Sequence, residues 1–137
     1  MTENIEGTDA LLRRIPDRPE QLWTKRADGT TRPTSASMKP SSEDGGLSVD
    51  VRRLLPDPTD PISVLGGEAG LGLAEFPAAV PRANGLEVEH TPLEGNDAHA
   101  DIRGFDEMSR NEAKRAQKAL AEAAAWVQMP AGALELP

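Results

Sequence analysis

The sequence predicts an α+β domain: a small, mainly antiparallel sheet with a C-terminal helix packed on one face, rich in loops. Three observations carry that expectation. Residues 47–51, 86–90 and 98–103 alternate apolar and polar side chains, the period of strands with one wet face. Residues 109–128 set Ala113, Ala116, Leu120, Ala123, Ala124 and Val127 at helical spacing behind a Ser109–Glu112 capping box. Turn residues separate these segments, with 12 glycines and 12 prolines in 137 residues.

In chain order, residues 1–14 read as a flexible polar tail, with one helical turn at 10–15 that ends before Pro16. Residues 15–130 read as a single domain, and residues 131–137 as a second tail. Leu22 and Trp23 are the first residues with much to bury, and Trp23 is assigned to packing. Residues 27–46 are turn-rich, with Asp28-Gly29 as a turn dipeptide. There Arg32, Ser35 and Ser37 form a candidate anion-binding loop. The competing reading is a solvated loop whose hydroxyls bond their own backbone.

Residues 47–51 put Leu47, Val49 and Val51 on one face and Ser48 and Asp50 on the other. Residues 52–55 form a helical turn or the strand's exit. Pro56, Pro58 and Pro61 then make an extended connector, followed by a helical turn at 62–65. Residues 71–76 form a strand broken by Pro77. A helical turn at 78–84 depends on packing and closes on a left-handed Gly85. Leu86, Val88 and His90 share one face of the next strand, with Glu87 and Glu89 opposite. A turn of Pro92, Gly95, Asn96 and Asp97 leads to a strand with Ala98, Ala100 and Ile102 on one face and His99, Asp101 and Arg103 on the other. The two strands are able to pair as a hairpin. The C-terminal helix carries Trp126 at its end and stops at Met129-Pro130, leaving Leu134 and Leu136 to dock elsewhere.

Bulk properties narrow the function classes. A net charge of −8 disfavours nucleic acid and anionic lipid as partners. Lys114, Arg115 and Lys118 are read as a solvated helix face. No segment is long and apolar enough to span a bilayer, and the N-terminus lacks the apolar core of a signal peptide. Zero cysteines exclude disulfides and thiolate metal sites, and a cytoplasmic location is the simplest reading. The glycine-rich residues 66–72 lack the Lys-Ser/Thr ending of a P-loop, so no nucleotide cofactor is expected.

His90 and His99 are the obvious chemical groups. Strand alternation puts them on opposite sides of the sheet, which argues against a shared metal. His99, flanked by Asp97 and Asp101, is a candidate general base, with Ser35 or Ser48 as nucleophile. Neither serine lies in a G-x-S-x-G elbow. In the competing reading His99 bonds a main-chain group and fixes the Asn96 turn. The ligand-binding candidates are Arg32, Ser35, Ser37, Ser48, Asn96 and His99.

Several segments, in order, resemble a small bacterial family of uncharacterised hypothetical proteins. They are Arg32-Pro33-Thr34-Ser35-Ala36-Ser37, Leu47-Ser48-Val49-Asp50, Gly72-Leu73-Ala74, Arg82-Ala83-Asn84-Gly85, the Pro92-to-Ala100 segment with Asn96-Asp97-Ala98-His99-Ala100, and Trp126. The likeness covers roughly residues 15–130, with Met38 where an aromatic is usual and Asp97 where proline is usual. It brings no activity; it implies that Arg32, Ser35, Ser48 and His99 lie near one another.

The resulting expectation is a non-catalytic binding or protein-interaction module of a bacterial cytoplasmic system. Its partner is another protein or a small anionic ligand. The alternative is a small hydrolase or transferase acting on an anionic substrate, with Arg32 as charge clamp and His99 as base. A third reading is an accessory subunit whose proline-rich connectors and tails order only in an assembly.

Overall fold

The computed structural model describes residues 2–68 and 70–134. The fold is α+β, as the alternation and the capped helix predict. The main sheet contains β1 (Ala10–Ile15), β4 (Leu47–Val51), β5 (Gly72–Pro77), β6 (Glu87–His90), β7 (His99–Arg103) and β8 (Ala125–Gln128). It is antiparallel throughout, in the order β6-β7-β4-β1-β5-β8. A separate hairpin pairs β2 (Trp23–Lys25) with β3 (Thr31–Pro33) across the Asp28-Gly29 turn. The helices are α1 (Ala79–Ala83), α2 (Arg110–Ala123) and α3 (Ala131–Leu134).

The register follows from alternation. Leu11 faces Val51 and Phe76, Leu47 faces Ile102, Val49 faces Ala100, and Val88 faces Ile102. These side chains form one apolar face, covered by Ala116, Leu120, Ala121 and Ala124 at the end of the chain. Alanines let α2 lie close to the sheet, and Leu120 fills the interface with no exposed surface. The capping box is present, with Ser109 Oγ accepting from the Glu112 amide and the Glu112 carboxylate accepting from the Ser109 amide. The 3₁₀ turn at Ser35–Met38 lies against α2 and buries Met38 in the same core. Gly85, at φ 80°, ends the α1 turn in the left-handed conformation.

The opposite, open face carries a smaller apolar cluster of Leu12, Leu55, Leu65, Leu73 and Ala98. Leu55 and Leu65 reach it from the proline-rich connector, which forms 3₁₀ turns at Arg52–Leu54 and Pro61–Leu65. Elsewhere this face is polar.

Three expectations are corrected. Residues 10–15 are not a helical turn at the end of a tail; they form the strand between β4 and β5. Leu11, Leu12 and Ile15 are all buried because β1 is covered on both sides, and that loss of alternation hid the strand. The preceding segment is anchored too: Ile5 is buried, and Asp9 caps the turn by accepting from the Glu6 amide at 2.8 Å and from Arg53 at 2.8 and 3.2 Å. Second, the helix ends at Ala123 rather than running to 128. Residues 125–128 instead pair with the free edge of β5, and the Trp126 indole donates to the Thr31 carbonyl. Third, the tail begins with a helical turn, α3, that buries Ala133. Docking by the Leu134 and Leu136 side chains lies outside the described residues.

Two outcomes test this account. Leu120→Ala should cost about 2–5 kcal/mol in urea unfolding, because it empties the contact between α2 and the sheet. The Arg53 guanidinium, more than any other group, holds the Asp9 carboxyl below its ordinary value, with the Glu6 amide also lowering it against burial. A depressed carboxyl stabilises the fold above its unfolded pKa of about 3.9, and that contribution disappears as pH falls through the lower folded value. Asp9→Asn should therefore be less stable than the parent at neutral pH by about 1 kcal/mol, a value discounted because Arg53 is half-exposed. The gap should narrow as pH falls from the unfolded value of about 3.9 through the lower folded one in acid-titrated denaturant melts.

Candidate functional site

The polar part of the open face is built by strand alternation. Ser48 faces Asp101, Asp50 faces His99, and Glu89 faces Asp101 across their ladders. Leu12 faces Asp50 on the other side, which places Arg14 on the same face two residues on. The connection between β6 and β7 brings Asn96 over it. Asn96 Nδ2 donates to Asp50 Oδ1 at 2.8 Å, while its Oδ1 accepts from the Ala98 amide. Asp50 is buried, and Arg14 approaches its second oxygen at 3.6 Å.

The ladder between β1 and β4 is only two pairs long, Leu11–Val51 and Leu12–Asp50. Beyond it the strands part, and Arg13 fills the gap. Its Nε donates to the Ser37 carbonyl at 3.1 Å and its Nη1 to the Ser48 carbonyl at 2.9 Å. Among the described residues no carboxylate pairs with Arg13. Burial first, and the neighbouring Arg14 charge second, lower its pKa. It remains a cation at neutral pH, as guanidinium groups in proteins do. At this fork lies a depression of about 280 Å³ lined by Arg13, Arg14, Ser48, Asp50, Asn96 and His99, among others.

The two histidines hold fixed, opposite tautomers. His90 is buried; its Nδ1 accepts from the Glu3 amide at 2.7 Å, so its proton lies on Nε2 and is donated to the Asp97 carbonyl at 2.6 Å. It ties the N-terminal segment to the turn before β7. His99 Nδ1 lies 2.9 Å from the Thr91 carbonyl, which can only accept, so His99 carries its proton on Nδ1. The Thr91 hydroxyl is 3.0 Å from the same nitrogen and donates to Asp101 Oδ2 at 3.1 Å. Arg103 also binds Asp101, at 3.2 Å. His99 Nε2 has no hydrogen-bond partner among the described residues.

Of the candidates read from the sequence, Ser48, Asn96 and His99 line the same depression. The expected cation lies elsewhere. Arg32 donates to the Glu122 carbonyl near the C-terminal end of α2, on the helix side of the sheet. Ser37 bonds the Thr34 carbonyl and is buried, and Ser35 is exposed in the same 3₁₀ turn. Arg32, Ser35 and Ser37 therefore do not line that depression, although Arg13 bonds the main-chain carbonyls of both Ser37 and Ser48. The expectation that His99 bonds main chain is met through Thr91, but the ring still borders the depression. Arg13 and Arg14 were missed because they lay in a segment read as helical. Consecutive residues of a strand point to opposite faces: Arg14 stands on the open face and Arg13 on the helix-side face, from which it reaches the fork.

The histidines lie on opposite faces, as alternation predicts. Among the described residues no group of three His, Asp or Glu side chains is arranged to hold a metal, and no helix is long and apolar enough to cross a membrane. No family model, curated protein or solved structure matches the chain.

Arg13→Met should destabilise the protein by about 1–3 kcal/mol, because two main-chain carbonyls lose a charged donor. Arg14→Met should cost less than about 1 kcal/mol, since Arg14 is half-exposed and 3.6 Å from its partner. Parallel urea melts of the two variants provide the comparison.

Proposed function

We propose that this protein is a non-catalytic binding module whose ligand is a small anion held in the depression where β1 and β4 part. The reading rests on Arg13, a partly enclosed cation with no carboxylate partner among the described residues, which enters the β1–β4 fork from the helix-side face and borders the concave site on the other. Isolated charge inside a protein is costly, so an anionic partner is favoured there. Arg14 adds a second positive group, against one carboxylate, Asp50. Ser48 offers an exposed hydroxyl. The local balance is thus positive on a chain of net charge −8. In the same reading the protein works in a bacterial cytoplasmic system, with the small acid as ligand and no nucleic acid bound.

The enzymatic alternative has one observation in its favour. His99 is oriented by Thr91, itself bonded to Asp101, and its Nε2 is uncovered. That is the arrangement of an oriented general base. Beyond Thr91, which the ring already engages, Ser48 would be the candidate hydroxyl on the same face, diagonal to His99 and about 7–8 Å away between Cβ atoms. In this version Arg13 replaces Arg32 as charge clamp.

A melting screen of the full chain against phosphate, sulfate and small carboxylates tests the binding reading. A ligand at 100 times its dissociation constant adds about 2.7 kcal/mol and raises the midpoint by several degrees. The rise should be lost in Ser48→Asp, which places a like charge in the site. A flat response to every anion overturns the reading.

A further inference from the structure

His90 holds the N-terminal segment in a way that only an uncharged ring allows. The ring is buried on the edge strand β6, opposite Ala100 of β7. Its Nδ1 accepts from the Glu3 amide at 2.7 Å, and its Nε2 donates to the Asp97 carbonyl at 2.6 Å. An amide N–H only donates and a carbonyl only accepts, so the two contacts use the one lone pair and the one N–H of neutral imidazole. A charged imidazole carries N–H on both nitrogens. The bond to Asp97 survives that change. The bond to Glu3 does not, because two N–H groups then face each other.

The segment is held unevenly. Ile5 is buried and its carbonyl accepts from Arg82; Asp9 is clasped by Arg53, which also donates to the Asn4 carbonyl. Thr2 and Glu3 are exposed, and among the described residues the bond to His90 is the hydrogen bond that holds them. The charged groups beside the ring are the Glu3 and Asp97 carboxylates, which line one depression with it, Leu54 and Pro92. Glu89 points to the other face of β6, where it pairs with Arg103, and His99 bonds Thr91. We propose that His90 is a proton-operated latch. In the neutral state it fastens residues 2–3 to the end of the sheet. On charging it lets them go, while Ile5 and the Asp97 turn stay in place. The latch is independent of the anion reading.

Nitrogen NMR of the full chain between pH 8 and pH 5, the range in which histidines charge, tests this. The ring should carry its proton on Nε2 at the upper end. Protection of the Glu3 amide from solvent exchange, corrected for the intrinsic rate at each pH, should fall about fivefold in step with charging of His90. The Asp9 amide, bonded to the Glu6 carbonyl, should change less than about twofold. In His90→Gln, whose carboxamide does not titrate, Glu3 protection should be flat with pH, whether or not the amide reaches Glu3. A fall that is the same in the parent and in His90→Gln overturns the proposal. So does a ring that charges with Glu3 still protected, or one that stays neutral until the sheet amides themselves lose protection.

Discussion

Where β1 and β4 separate, the carbonyl of Ser48 loses its place in the ladder, and the Arg13 guanidinium takes it. The same group reaches the Ser37 carbonyl in the 3₁₀ turn that packs on α2. One side chain thus joins the centre of the sheet to the layer that covers it. A planar cation with several donors in a fixed fork is suited to this, since it meets two carbonyls from different elements at once. Among the described residues no acid neutralises its charge, and that leaves the fork electrostatically unlike the rest of an acidic surface.

The polar connections around this fork have a common logic. Main-chain groups outside the ladders are satisfied by side chains, most of them from far along the sequence: His90 at the Glu3 amide and the Asp97 carbonyl, Arg82 at the Ile5 carbonyl, Arg53 at the Asn4 carbonyl and Trp126 at the Thr31 carbonyl. Short strands leave many such groups, and each buried one requires a partner. The chain has few aromatics, so these charged and polar clasps supplement a modest core. They also explain why the N-terminal segment is part of the fold, although its composition alone reads as a tail.

Legibility in the sequence followed the physical signal. The strands at 47–51, 86–90 and 98–103 were readable because one face is wet and the other dry. Ser109 and Glu112 announced the start of α2. The end of α2 was not readable, because residues 123–125 are three alanines that suit a helix, and the free edge of β5 claims the chain only in three dimensions. The hairpin of β2 and β3 has three residues per strand, too few for a period to show. Within the candidate site, the β4–β7 residues could be found because their alternation sets them on one face. Arg13 and Arg14 could not, since their strand is covered on both sides and carries no alternation. Arg32 misled for a related reason: an arginine amid hydroxyls describes a solvated anion loop and a helix-end clasp equally well.

The two-pair junction between β1 and β4 has a mechanical meaning. It divides the sheet into two leaves of three strands, β6-β7-β4 and β1-β5-β8. Each leaf has ladders of three to six pairs within it, against two at the junction. Shear or twist of one leaf against the other therefore concentrates at that seam, as deformation does along the least cross-linked line of any pleated sheet. The line that Arg13 clasps is thus the one along which the main sheet has the fewest ladder pairs to hold it.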